Sequence, residues 1–165
     1  MGVKYGLPPV ARADARLIIL GSLPGDASLA AHRYYAHPTN QFWRLLGLSI
    51  GEELQSLTYE KRLERLAERR IGLWDVIASA SRSGSLDQAI REAEHNRIEH
   101  LLKDFAELRA IAFNGSTAAS VGRKLIGEVP SNLALVDLPS SSAANTSRFE
   151  QKAAAWAELA QFVRP

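Results

Sequence analysis

The sequence predicts an α/β fold: a three-layer sandwich with a central four-stranded parallel sheet flanked by helices. Two observations carry this. Four short apolar runs, 16–20, 72–77, 109–113 and 133–138, have the length and content of buried strands, each closing on a turn-forming or polar residue. Helical periodicity fills the intervals, and strands alternating with helices pack as a parallel sheet covered on both faces. In such sheets ligands bind beyond the carboxyl ends of the strands. Function is therefore expected in three loops: 21–40 after the first run, 114–117 after the third and 139–146 after the fourth.

The helices follow in chain order. Asn40 is placed as the N-cap of a helix whose Phe42, Trp43 and Leu46 face the core. Thr58 opens a second helix through Leu63, Leu66 and Ala67. Ile98, Leu101, Leu102 and Phe105 recur at i, i+3, i+4 and i+7 behind Asn96 and Glu99, the pattern of a capping box. Ser116 starts a further helix that Gly127 stops. Ser147 and Glu150 are expected to cap the last one, with Phe149, Ala153, Trp156, Ala160 and Val163 along its apolar stripe.

Composition narrows the function. At 165 residues and 46% apolar, the chain reads as one domain, 1–165, able to bury roughly 70% of its unfolded surface. It has no cysteine, which excludes disulfides, thiolate metal sites and a cysteine nucleophile and points to a reducing, cytoplasmic setting. No apolar run approaches the length of a membrane span, and the N-terminus lacks the apolar stretch of a signal peptide. A net charge of +2 tolerates a polyanionic partner without demanding one. The basic stretch Lys61, Arg62, Arg65, Arg69 and Arg70 is interleaved with Glu60, Glu64 and Glu68, as on a solvated helix face.

Several chemistries fail on residue type or spacing. There is no G-x-S-x-G elbow. Gly122 and Gly127 have P-loop spacing, but Glu128 stands where the phosphate-binding lysine is needed. The histidines pair as His32 with His37 and His95 with His100, a spacing of five that does not share one helical face, and no H-E-x-x-H occurs. No metal is called for.

The first loop, Gly21-Ser22-Leu23-Pro24-Gly25, has a backbone able to approach a ligand closely, although a plain strand-to-helix turn would look the same. The block that follows, 34–43, gathers two tyrosines, a histidine, two amides, a phenylalanine and a tryptophan into ten residues. Aromatics beside amides suit a nucleobase, which can be stacked on a ring and read on its edge by paired donor and acceptor.

These residues resemble the uracil-DNA glycosylase superfamily, and within it most closely the hypoxanthine-DNA (deoxyinosine) glycosylases. The pieces span nearly the whole chain: 21–25; Tyr35-Ala36-His37-Pro38-x-Asn40-x-Phe42-Trp43; Leu73-Trp74-Asp75-Val76; Gly84-Ser85-Leu86-Asp87; Phe113-Asn114-Gly115; and 138–145. The resemblance implies a four-stranded parallel sheet, DNA repair by excision of a deaminated base, and catalysis resting on Asn40. Leu23 and Leu138 occupy positions where uracil-excising relatives carry working polar groups, which weighs toward hypoxanthine and against uracil or mismatched thymine.

The chemistry implied is hydrolysis of an N-glycosidic bond without metal or cofactor. The amide oxygen of Asn40 would hold a water against the sugar C1′, while the Gly21, Ser22, Leu23, Pro24 and Gly25 loop stabilises the departing base. Tyr35 would stack on the base, or else pack in the core. Asn114 would bond the base edge, or else steady the turn before Gly115. Ser140, Ser141, Ser142 and Asn145 would grip phosphates, or else supply helix caps, and His37 would contact a phosphate or position its own loop. Asp75 and Asp87 are read as ordering neighbouring loops. The expected partner is double-stranded DNA bearing a deaminated base, with single strands left open, bound by a monomer that does not cut the backbone. A non-catalytic binder of damaged DNA is the alternative from another class.

Overall fold

The computed structural model describes residues 2–164. Its strands are β1 (Val3–Tyr5), β2 (Leu17–Gly21), β3 (Ile71–Asp75), β4 (Ile77–Ser81), β5 (Arg91–His95), β6 (Ala110–Asn114) and β7 (Ala134–Leu138). Its helices are α1 (Asp26–Ala31), α2 (Phe42–Ile50), α3 (Tyr59–Glu68), α4 (Leu101–Asp104), α5 (Ser116–Ile126) and α6 (Phe149–Trp156), with 3₁₀ turns at Asp87–Ala89, Ile98–His100 and Ala157–Phe162.

The central sheet has the order β3-β2-β6-β7, and every pairing in it is parallel. It is covered on both faces, so its strands must be apolar on both. Along β2, Leu17 and Ile19 enter one core with α2, α3 and α6, while Ile18 and Leu20 enter the other with α5. That two-residue alternation between two apolar layers is why β2 reads as an unbroken apolar run. The register pairs Gly21 with Asp75 and Asn114 with Leu138, so all four carboxyl ends open on the same edge of the sheet.

The four-stranded α/β sandwich matches the expectation, and so do α3, which Thr58 caps through Lys61 N–H, and α5. Several local expectations need correction. The run 72–77 is two strands, because the chain leaves the sheet after Asp75 and β4 joins a separate antiparallel sheet of order β1-β4-β5. No helix starts at Asn96: the chain is still extended there, its backbone N–H reaching Val76 O and its side chain donating to Asp75 O. Ile98 and Leu101 are buried as the spacing requires, but through a 3₁₀ turn followed by the short α4. Ser147 does not cap α6; Arg148 stands at that position, and Ser147 N–H donates instead to Asn145 Oδ1. Past Trp156 the helix tightens to 3₁₀, which brings Leu159 rather than Ala160 fully into the core.

Among the described residues, no helix is long and apolar enough to cross a membrane.

Candidate functional site

A cavity of about 970 Å³ opens at the carboxyl edge of the central sheet. Its lining includes Gly21, Ser22, Leu23, Pro24, Gly25, Tyr35, His37, Asn40, Asn114, Ser140, Ser141, Ser142 and Asn145, so the three loops chosen from the sequence converge on one space. Asp75 and the segment Ser85, Leu86, Asp87 and Gln88 also line it.

Asn40 is not the N-cap expected of it: it lies just ahead of α2, whose N-cap is Gln41, although its side chain takes the Phe42 N–H. Its Oδ1 accepts from Phe42 N–H at 2.9 Å and from the Ser141 hydroxyl at 2.8 Å. The backbone N–H can only donate, so the atom facing it is the amide oxygen, and Nδ2 is turned the other way. Both common lone-pair directions of Oδ1 are therefore committed inside the protein. Nδ2 has no acceptor among the described residues, so its hydrogens are the ones Asn40 leaves for a ligand or water.

Asn114 ends β6 and is 8% exposed. Its Oδ1 accepts from Ser141 N–H at 2.9 Å, and its Nδ2 donates to Ser141 Oγ at 2.9 Å and to the Tyr35 hydroxyl at 3.3 Å. The result is a directed chain in which Asn114 donates to Ser141 and Ser141 donates to Asn40. With both amide hydrogens used, Asn114 has only acceptor capacity left for a ligand.

Tyr35 stacks on Phe42 with ring centroids 3.8 Å apart and planes 11° from parallel. One ring face is thus taken by α2. Its φ of +55° is a left-handed conformation that costs a non-glycine residue of the order of 1 kcal/mol and is held by the packing around it. Burial pushes the hydroxyl's pKa up, and Asp75 adds to that, so the group is a neutral hydrogen-bonding tip.

The loop 139–145 is shaped by its own side chains. Ser140 Oγ accepts from Ser142 N–H, Ser142 Oγ from Ala144 N–H, and Asn145 Oδ1 from Ser147 N–H. It is then fastened from below. Lys152, 1% exposed, donates to Gln41 Oε1, Ser142 O and Asn145 O at 2.8 to 3.2 Å, and Trp156 Nε1 donates to Pro139 O. Three donations require three hydrogens, so Lys152 is an ammonium. Lysine in an amphipathic helix reads as solvent-facing, which is why sequence reasoning passed over it.

The first loop is held by Arg82, 1% exposed, which donates to the carbonyls of Leu23 and Pro24 and lies 3.9 Å from Asp87. Asp87 Oδ1 in turn accepts from Ser22 Oγ at 2.6 Å. Asp87 therefore orders the neighbouring loop, as expected. His37 is exposed and its Nδ1 accepts from Thr39 N–H and from the Thr39 hydroxyl, which leaves the proton of the neutral ring on Nε2. It steadies its own turn.

Asp75 is the residue that the sequence reading undervalued. It is 4% exposed, and burial with the nearby Asp87 pushes its carboxyl up to about 7 against a smaller opposing pull from Arg82. The signal was a carboxylate at the end of a doubly covered strand, where solvent cannot stabilise its charge. Among the described residues no cluster of three histidines and carboxylates could hold a metal ion.

A cavity of this size at the carboxyl edge of a doubly covered parallel sheet, framed by fixed amides, hydroxyls and a stacked ring, has the place and lining of a ligand site in an α/β fold. The chain belongs to the uracil DNA glycosylase superfamily, whose family model matches residues 8–160. It is 44% identical over 161 residues to the hypoxanthine DNA glycosylase of Methanosarcina barkeri, covering 94% of this chain and 96% of that one. The hypoxanthine DNA glycosylase of Methanosarcina acetivorans is 42% identical over 154 residues, covering 93% and 96%. A solution NMR structure from Methanosarcina acetivorans, described as a candidate uracil DNA glycosylase, superposes with a TM-score of 0.86 at 40% identity over 98% of this chain and 99% of that one. The family read from the motifs is the family shown.

Proposed function

We propose that this protein is a monofunctional DNA glycosylase that draws a deaminated base out of DNA, hypoxanthine above all, and hydrolyses its N-glycosidic bond to leave an abasic site. The observation that carries this reading is the 44% identity, over nearly the full length of both chains, with a relative named for that activity. Double-stranded DNA is the substrate, and one copy of the chain acts alone in the cytoplasm.

Chemically, the site suits a dissociative reaction. The C1′–N bond breaks with its electron pair leaving on the base, and the sugar acquires oxocarbenium character. An amide cannot act as a base near neutral pH. With Oδ1 held by Phe42 and Ser141, Asn40 presents Nδ2–H, which donates to a water oxygen and fixes that water beside C1′. Water adds once positive charge has developed and loses its proton to solvent afterwards. The Gly21 to Gly25 loop faces the base, with Tyr35 beneath it, and the loop 140–145 faces the flanking phosphates.

Leu23 and Leu138 line the cavity at the positions where uracil-excising relatives carry working polar groups, which weighs toward hypoxanthine and against uracil. The test is incubation with duplexes carrying one hypoxanthine, uracil or mismatched thymine, with strand breaks developed by alkali and Asn40→Ala run in parallel. Hypoxanthine release that the substitution abolishes supports enzyme and residue together. Uracil release at the same rate overturns the specificity argument, and binding without release of any base moves the protein to the non-catalytic class.

A further inference from the structure

We infer that Asp75, the buried and unpartnered carboxyl at the end of β3, reads the carbonyl group that deamination leaves on the extruded base. The inference rests on the reading of the cavity as a deaminated-base pocket and assigns its specificity to a residue outside the three motif loops.

Asp75 closes β3 directly opposite Gly21, the last residue of β2, and it lines the cavity while being almost fully buried. Neither of its carboxyl oxygens is met by a hydrogen-bond donor among the described residues, and Oδ2 is a fully buried atom without any partner. Of the residues that carry a buried side-chain atom without a partner among the described residues, Asp75 is the one that lines the cavity, and an unpartnered carboxyl at a cavity wall is a place for a ligand group. The backbone makes room for it: a Cβ on Gly21 would lie 2.5 Å from Asp75 Oδ1 and 3.2 Å from the Tyr35 hydroxyl. Only glycine leaves room at that point for both the carboxyl and the tyrosine tip.

The groups facing the carboxyl keep it protonated. Asp87, on the 3₁₀ turn over the cavity, repels negative charge, and only Arg82, behind the first loop, pulls the other way. Tyr35 offers a neutral hydroxyl on the same side. Burial is the largest cause, and the carboxyl is pushed up to about 7, so below that pH it is an O–H donor.

Deamination replaces an amino group, a donor, by a carbonyl, an acceptor, whether adenine becomes hypoxanthine or cytosine becomes uracil. An O–H donor in the pocket pairs with the carbonyl of the damaged base, whereas the amino group of the parent base can meet only the acid's carbonyl oxygen and leaves the O–H unpaired. Asn114, whose amide hydrogens are spent inside the protein, cannot supply that donor.

The experiment is a single-turnover pH profile from 5 to 9 on hypoxanthine and uracil duplexes for the parent protein, Asp75→Asn and Asp75→Ala, with thermal melts and affinity for abasic-site duplex as controls. The parent rate is expected to be level in acid and to fall about tenfold per pH unit above 7, as one proton is lost. Asp75→Asn keeps a donor that does not titrate, so it retains measurable excision and loses the alkaline fall. Asp75→Ala is level across the range and at least about tenfold below the parent's acid plateau, with unchanged abasic-site affinity. An Asp75→Asn profile that still falls through 7, or an Asp75→Ala rate equal to the parent's at pH 5 to 6, overturns the inference while leaving the glycosylase reading intact. A parent protein that releases neither base overturns the pocket reading and this assignment with it.

Discussion

The Ser141 hydroxyl donates to Asn40 Oδ1 at 2.8 Å across 101 residues of sequence, and it accepts from Asn114 Nδ2 on its other side. One serine thus orients both amides of the cavity. Its backbone adds two more ties, Ser141 N–H to Asn114 Oδ1 and Gln41 N–H to Ser141 O. The expected consequence for Ser141→Ala is a loss of about 1–2 kcal/mol of stability from the unmet Asn114 hydrogen. Excision should fall about tenfold in the chemical step, because Asn40 keeps only its Phe42 anchor. Single-turnover rates checked against abasic-site affinity measure this, and a loss confined to affinity would refute the orienting role.

Lys152 is expected to act on DNA grip rather than on chemistry. It joins the residue after Asn40 to both ends of the 142–145 stretch, and it does so as a buried cation. Lys152→Met leaves three acceptors without a donor, at a cost of about 2 kcal/mol. It should weaken affinity for abasic-site duplex about tenfold while changing the excision rate at saturation less. Fluorescence anisotropy against a denaturant melt distinguishes a loosened loop from global unfolding.

Much of this fold is legible in the sequence, and the parts that are not share a cause. β2, β3 and β6 are buried on both faces, so burial writes them as apolar runs, and β7, at the sheet's edge with Asp137 exposed, still sends Val136 and Leu138 into one core and Leu135 toward the other. β5, with Arg91, Glu92, Glu94 and His95 exposed and only Ala93 half-buried, is an edge strand with no apolar face to betray it. The site divides the same way. Glycines, aromatics and amides in the three loops announce a ligand by type. The groups that position them, Arg82 and Lys152, are cations whose burial no local pattern reveals, since Arg82 donates to carbonyls 58 and 59 residues away and Lys152 reaches Gln41, 111 residues away, as well as Ser142 and Asn145.

Arg82 lowers the Asp75 pKa by its charge while holding the Leu23 and Pro24 carbonyls. Arg82→Met should therefore move the alkaline fall in excision to higher pH, since the remaining neighbour, Asp87, only disfavours ionisation. The same variant should be less stable by about 2 kcal/mol, from two carbonyls left without their donor. A pH midpoint unchanged in a folded Arg82→Met protein would show that the guanidinium does not reach Asp75 electrostatically.

Keeping Asp75 protonatable has a stability consequence with a definite sign. Its carboxyl titrates near 3.8 in the unfolded chain and about 7 in the folded one, so between those values the native state holds a proton that the unfolded state has released. Stability must then fall as pH rises from about 4 to about 7 and level off above. Asp75→Asn removes this dependence without removing bulk. The stability gained by the substitution should therefore grow by about 3 kcal/mol between pH 5 and pH 8. Urea midpoints at the two values measure it. A gain that is the same at both would mean that Asp75 is already ionised in the folded protein at pH 5, and a carboxylate there would face the deaminated carbonyl as acceptor against acceptor.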